Sequence, residues 1–107
     1  MQIINKTPHV LNVILADGSV RAIAPTLPAP RVATKRVALD PVDGIPVDAV
    51  EYGAVGDLPD AVDGAMLVVS ALVAAACKGR SDLLVVGEAV RDADGKVIGC
   101  KGLSRPG

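Results

Sequence analysis

LNVILADGSVRAIA (residues 11–24) and EAVRDADGKVIGC (residues 88–100) decide how this chain folds. In each, an apolar run leads into Asp-Gly and a second apolar run follows. Glycine accepts positive φ without steric penalty and aspartate tolerates it, so Asp-Gly between two such runs marks a hairpin corner. Two more Asp-Gly pairs stand at 43–44 and 63–64, again between segments rich in Val and Ile or Leu. A chain turned this often at Asp-Gly is expected to be built of strands.

Working outward, RVATKRVAL (31–39) and IPVDAVEYGAV (45–55) read as two further strands, with Pro41 and Pro46 expected to limit pairing between them. APTLPAP (24–30) suits an extended loop, and GAVGDLPDAVDG (53–64) an irregular connection. AMLVV (65–69) is apolar at every position, as in a strand buried on both faces. SALVAAACKG (70–79) predicts one short helix over about 71–78, with Ser70 as N-cap and Gly79 closing it in the left-handed conformation. The expected fold is a mainly β single domain over 1–107, a small antiparallel barrel or strongly curled sheet of six to seven strands with that helix.

The 107 residues are half hydrophobic, yet they include no Phe or Trp and only Tyr52 among aromatics, so Val, Leu, Ile and Ala must form the core. Such side chains bury less area per position, which makes a homo-oligomer an expected route to stability. Eleven basic and 12 acidic residues give a net charge of −1 with no charged block, which argues against nucleic acid or a membrane surface as partner. The longest apolar stretch, residues 65–77, is shorter than the roughly 20 residues of a membrane-spanning helix. MQIINKTPH lacks a secretory signal pattern, and two distant cysteines suit a reduced compartment, so a cytoplasmic protein is expected.

Several residues carry possible chemistry. His9, the only histidine, follows Pro8 and is expected to open the first strand at the surface. Without a second histidine or spaced carboxylates, no metal or cofactor is expected. Cys100 reads as a packed thiol, and Ser70 lacks the flanking glycines of a nucleophile elbow. RDADGK lacks the further oxygen ligands of a calcium loop, and the glycine pairs 53/56 and 99/102 lack the context of a phosphate loop. The free N–H groups at the helix start could hold an anion, with Arg31, Arg80 and Arg91 as candidate partners.

NKTPH (5–9), YGAVGDLP (52–59), VVSALVA (68–74), RSDLLV (80–85) and VRDADGKVIGC (90–100) resemble strings in a family of small phage, prophage and bacterial proteins about a hundred residues long. That family's N-terminal string is NLTPH-like, and its C-terminal one is R-D-x-x-G-x-I/V-I/V-G-C. Lys6 stands where leucine is expected and Gly87 where proline is expected. The resemblance implies a non-catalytic accessory protein of mobile-element type. Its strings single out Thr7, His9, Ser70, Arg80, Asp82, Arg91, Asp92 and Cys100.

The leading expectation is a binding protein that captures a small anionic or nucleotide-type ligand, or docks on a host protein to antagonise defence. Its candidate ligand residues are Thr7, His9, Arg31, Ser70, Arg80, Asp82, Arg91 and Asp92. Two readings compete with it: a small hydrolase or lyase using His9 with Ser70 or Cys100, and a structural or assembly protein forming homo-oligomers.

Overall fold

A computed structural model describes residues 2–106. The strands are β1 (Gln2–Asn5), β2 (Leu11–Ile14), β3 (Val20–Ile23), β4 (Arg31–Val42), β5 (Ile45–Gly56), β6 (Ala65–Val68), β7 (Leu83–Arg91) and β8 (Val97–Ser104). The single helix, α1 (Ala71–Ala76), lies between β6 and β7.

All four Asp-Gly glycines have positive φ, from 74° at Gly44 to 86° at Gly18. Three of these pairs turn hairpins: β2–β3, β4–β5 and β7–β8. The fourth leads into β6, where Gly64 O accepts from Gln2 N.

Six strands form one sheet in the order β1-β6-β7-β8-β2-β3. Its outer strands approach each other beyond β3: Asn5 bridges Pro25, and Thr26 N donates to Asn5 O at 2.8 Å. The sheet is thus a nearly closed barrel. It is mixed where antiparallel pairing was expected, because β1–β6, β6–β7 and β2–β8 run parallel. Among the described residues the barrel has six strands, as expected, with β1 preceding His9 and β4 and β5 standing outside as a separate pair.

β6 shows why AMLVV carries no polar residue. Successive strand side chains face opposite ways, so Val68 packs with Leu11, Val13 and Cys100 while Leu67 packs with Val69, Val73, Ala74 and Leu83. The first cluster fills the barrel and the second joins its wall to α1. Each fully buried Val or Leu contributes about 1.5–3 kcal/mol relative to an exposed one.

The helix is shorter than expected. Ser70 caps it as predicted, its hydroxyl accepting from Val73 N at 3.3 Å. It ends at Ala76 because Cys77 (φ −123°, ψ 47°) already leaves helical geometry, and Gly79 is not among the positive-φ glycines. Among the described residues, no helix is long and apolar enough to cross a membrane.

β4 and β5 pair along nearly their whole length despite Pro41 and Pro46, contrary to the expected interruption. In a two-stranded ribbon each strand has an open side, where a missing N–H costs no ladder bond. Pro41 also falls in the register shift between Leu39 and Val42.

Candidate functional site

The NKTPH string ties the barrel's seam. Asn5 ends β1 with 1% of its surface exposed. Its amide nitrogen donates to His9 O (2.7 Å) and Ile23 O (2.9 Å), and its oxygen accepts from Thr7 N (2.9 Å) and Thr7 Oγ1 (2.6 Å). Asn-x-Thr here is an Asx turn whose central group is Asn5, which is not among the candidate ligand residues. Thr7 spends its hydroxyl on this turn, also donating to His9 O at 3.1 Å. His9 is exposed in the bend before β2, so it precedes the second strand and not the first.

The three residues of the catalytic reading have separate structural tasks. Ser70 caps α1, Cys100 packs inside the barrel, and His9 contributes its backbone carbonyl to the turn. Among the described residues no hydrogen bond links their side chains.

Nor do the arginines gather at the helix start. Ser70 opens α1, whereas Arg80 follows its far end and precedes β7. The Arg80 guanidinium is taken up by Asp82 (2.8 and 2.6 Å) and by Pro59 O (3.0 Å). Arg91 donates to Gly95 O at 2.8 Å in the β7–β8 turn, where Asp92 Oδ1 accepts from the backbone of Asp94 and Lys96. Arg31 is exposed at the start of β4. The candidate ligand residues therefore lie in five places: the NKTPH turn, Ser70 at the start of α1, the Arg80–Asp82 pair, the distal β7–β8 turn, and the foot of β4.

The two-point hydrogen bond from Arg80 holds the Asp82 carboxyl below its ordinary value of 3.8, burial opposing the shift. A carboxylate with a lowered folded pKa stabilises the fold above its unfolded value and loses that contribution as pH falls through the folded one. Asp82→Asn is expected to lower stability by about 1 kcal/mol at pH 7. The Tm difference from the parent protein should close as pH falls below the ordinary carboxylate value of 3.8, as thermal melts over the acid range would show. Arg80 is held above the ordinary guanidinium range, chiefly by the same bond, so it stays charged through the neutral range and leaves stability there flat.

Two of the hollows lined mainly by apolar groups adjoin residues of interest. One of about 220 Å³ between β2, β7 and β8 is lined by Val10, Val86, Val97 and Ile98, with the buried Cys100 as its one nucleophile. The other, of about 160 Å³, adjoins Lys6, which is buried and donates through Nζ to Thr26 O at 2.9 Å. Ile4, Val62 and Leu67 line that hollow, an apolar setting that would also suit the leucine expected at position 6.

The feature with no internal explanation is the β4–β5 arm. Each strand has 12 residues, so the ribbon is about 40 Å long at 3.3 Å per residue. Only its foot is anchored, where Val32 and Val55 pack on the α1 cluster. Beyond the foot, register places Val37 opposite Ala49 and Leu39 opposite Val47, an aliphatic stripe on one face. The other face carries Val50, the chain's only aromatic, Tyr52, and an exposed Arg36–Asp48 pair at 3.1 Å. Leu39, Val42, Ile45, Val50 and Tyr52 are all exposed.

An isolated two-stranded hairpin is marginal in water, and the arm leaves both of its edges unpaired. A globular 10.8 kDa monomer exposes about 5,500 Å², whereas this chain exposes 7338 Å². Its radius of gyration, 16.8 Å, likewise exceeds the ~13 Å of a compact domain this long. The surplus area is of the order that a specific protein contact buries. Alternation about Asp43-Gly44 was the available signal for this arm, and the two prolines masked it. No protein-family model, curated protein or solved structure matches the chain.

Proposed function

We propose that this protein acts by binding and not by turnover, as a subunit of a homo-oligomer held together through the β4–β5 arm. The observation that carries this reading is a ribbon of 12-residue strands, apolar along one face and anchored only at its foot. The surplus of exposed surface supports it. The resemblance of its NKTPH and RDADGKVIGC strings to those of small phage and prophage proteins fits an accessory protein of mobile-element type. Capture of a small anion draws no added support, since Arg80 is already filled by Asp82 and Arg91 by Gly95 O.

Sedimentation velocity tests the reading at about 100 μM, where a micromolar contact is largely formed. The full chain is expected to sediment as a dimer or larger. A variant with 34–52 replaced by Asp-Gly should keep its β-type circular dichroism and sediment as a monomer. A full chain that is monomeric at that concentration overturns the proposal.

A further inference from the structure

We infer that two copies join by antiparallel pairing of their β4 edges about a two-fold axis at Ala38, merging two arms into one sheet ordered β5-β4-β4′-β5′. This rests on the arm being the contact surface and specifies which edge is used and in what register.

Charge selects the edge. β5 carries Asp48 and Glu51 and no basic residue, so a β5–β5 contact offers no ion pair between its two strands. β4 carries Arg31, Lys35, Arg36 and Asp40, both signs on one strand.

Symmetry and side-chain alternation then select the register. A two-fold axis between antiparallel strands of one sheet stands perpendicular to it and keeps each face on its own side. Residues facing each other across the axis therefore differ by an even number, and the axis passes through a residue. An axis at Arg36 opposes Arg36 to itself, and one at Lys35 does the same with Lys35. With the axis at Val37, Arg36 faces Ala38′ and Lys35 faces Leu39′, leaving both cations without an acid. With the axis at Leu39, Asp40 faces Ala38′ and Val37 faces Pro41′.

An axis at Ala38 gives Arg36 an acid and Val37 an aliphatic partner, and leaves only Lys35 without an acid. Arg36 meets Asp40′ twice on the polar face, and Val37 meets Leu39′ twice on the aliphatic one. The smallest side chain of the group, Ala38, faces its own copy at the axis. Arg36, already bonded to Asp48 at 3.1 Å, then lies between two carboxylates.

The register opposes residues 36–40 of the two copies, so the regular contact runs about 17 Å along each strand and ends where the β4–β5 register shifts. It carries each tip, with exposed Val42 and Ile45, toward the foot of the partner's arm. Four strands also meet the requirement for three or more that a lone hairpin misses.

Opposed residues in an antiparallel pair have Cα atoms about 4.5–5.5 Å apart, within disulfide range. Ala38→Cys in a Cys77→Ser background, mildly oxidised, is expected to give a covalent dimer on non-reducing gels, whereas Val50→Cys on β5 gives none. Asp40→Arg is expected to weaken association by about 100-fold or more through two like-charge contacts. The sign-swapped Arg36→Asp/Asp40→Arg/Asp48→Arg variant should restore it. Position 40 is exposed, so circular dichroism should show the Asp40→Arg fold unchanged.

A parent chain that is monomeric overturns the assembly reading itself. An oligomer in which Val50→Cys cross-links and Ala38→Cys does not, or which is indifferent to Asp40→Arg, overturns only the β4 pairing.

Discussion

Asn5→Leu is expected to lower stability by about 3 kcal/mol, a fall in Tm of roughly 15 °C for a domain of this size. The leucine keeps the asparagine's branched outline, and its methyls add some crowding where the bonds run at 2.6–2.9 Å, but the larger part of the loss is polar. It comes from stranding four partners at the seam: the carbonyls of His9 and Ile23, and the N–H and hydroxyl of Thr7. Asn5→Asp should be nearly as damaging, because a carboxylate cannot donate to two carbonyls. Thr7→Ala removes one hydroxyl on a half-buried residue and should cost only about 1 kcal/mol. Thermal melts of the three variants would show this order. A loss below about 1 kcal/mol for Asn5→Leu would mean that water replaces the side chain and that the seam is held elsewhere.

Gly87→Ala is the second large effect, expected at about 3 kcal/mol. A Cβ at Gly87 would lie within van der Waals distance of backbone oxygens on β8, 2.8 Å from Gly102 O and closer still to Lys101 O. Neither oxygen can retreat without disturbing the β7–β8 ladder. Gly99→Ala meets Asn12 O at 2.7 Å and should be somewhat milder, since only one backbone oxygen is that close. Gly56→Ala serves as the control, with nothing within 4 Å and no positive φ. Urea unfolding would rank the three, and a Gly87→Ala midpoint equal to that of Gly56→Ala would contradict the close approach of β7 and β8.

Much of the local structure was legible because it is written locally. Asp-Gly sets corners through the φ preferences of two residues, Ser70 caps α1 through its own hydroxyl, and the unbroken apolar run of β6 records burial on two faces. The parallel pairings leave no such mark. β1 lies against β6 because Gln2 opposes Ala65, and β2 against β8 because Val13 opposes Cys100. Neither pairing requires a particular residue between its partners.

The candidate site was less legible still. Thr7 and His9 drew notice as polar residues, but the group that organises them is Asn5, one turn earlier. Arg80 and Asp82 satisfy each other, which their spacing of two residues allows but does not announce. Pro41 and Pro46 read as breakers since proline usually ends a ladder, while a free-standing ribbon with open sides admits both.

The pairing of β1 with β6 also bears on how the molecule is made. Ile3 and Ile4 leave the ribosome about 60 residues before Met66 and Leu67, the partners they lie against. At 5–20 residues per second that is a wait of roughly 3–12 seconds. During it the first strand has only the contacts of Asn5 with Ile23, Pro25 and Thr26, so its ladder forms late in synthesis and the nascent chain is most vulnerable to sticking before residue 68 emerges.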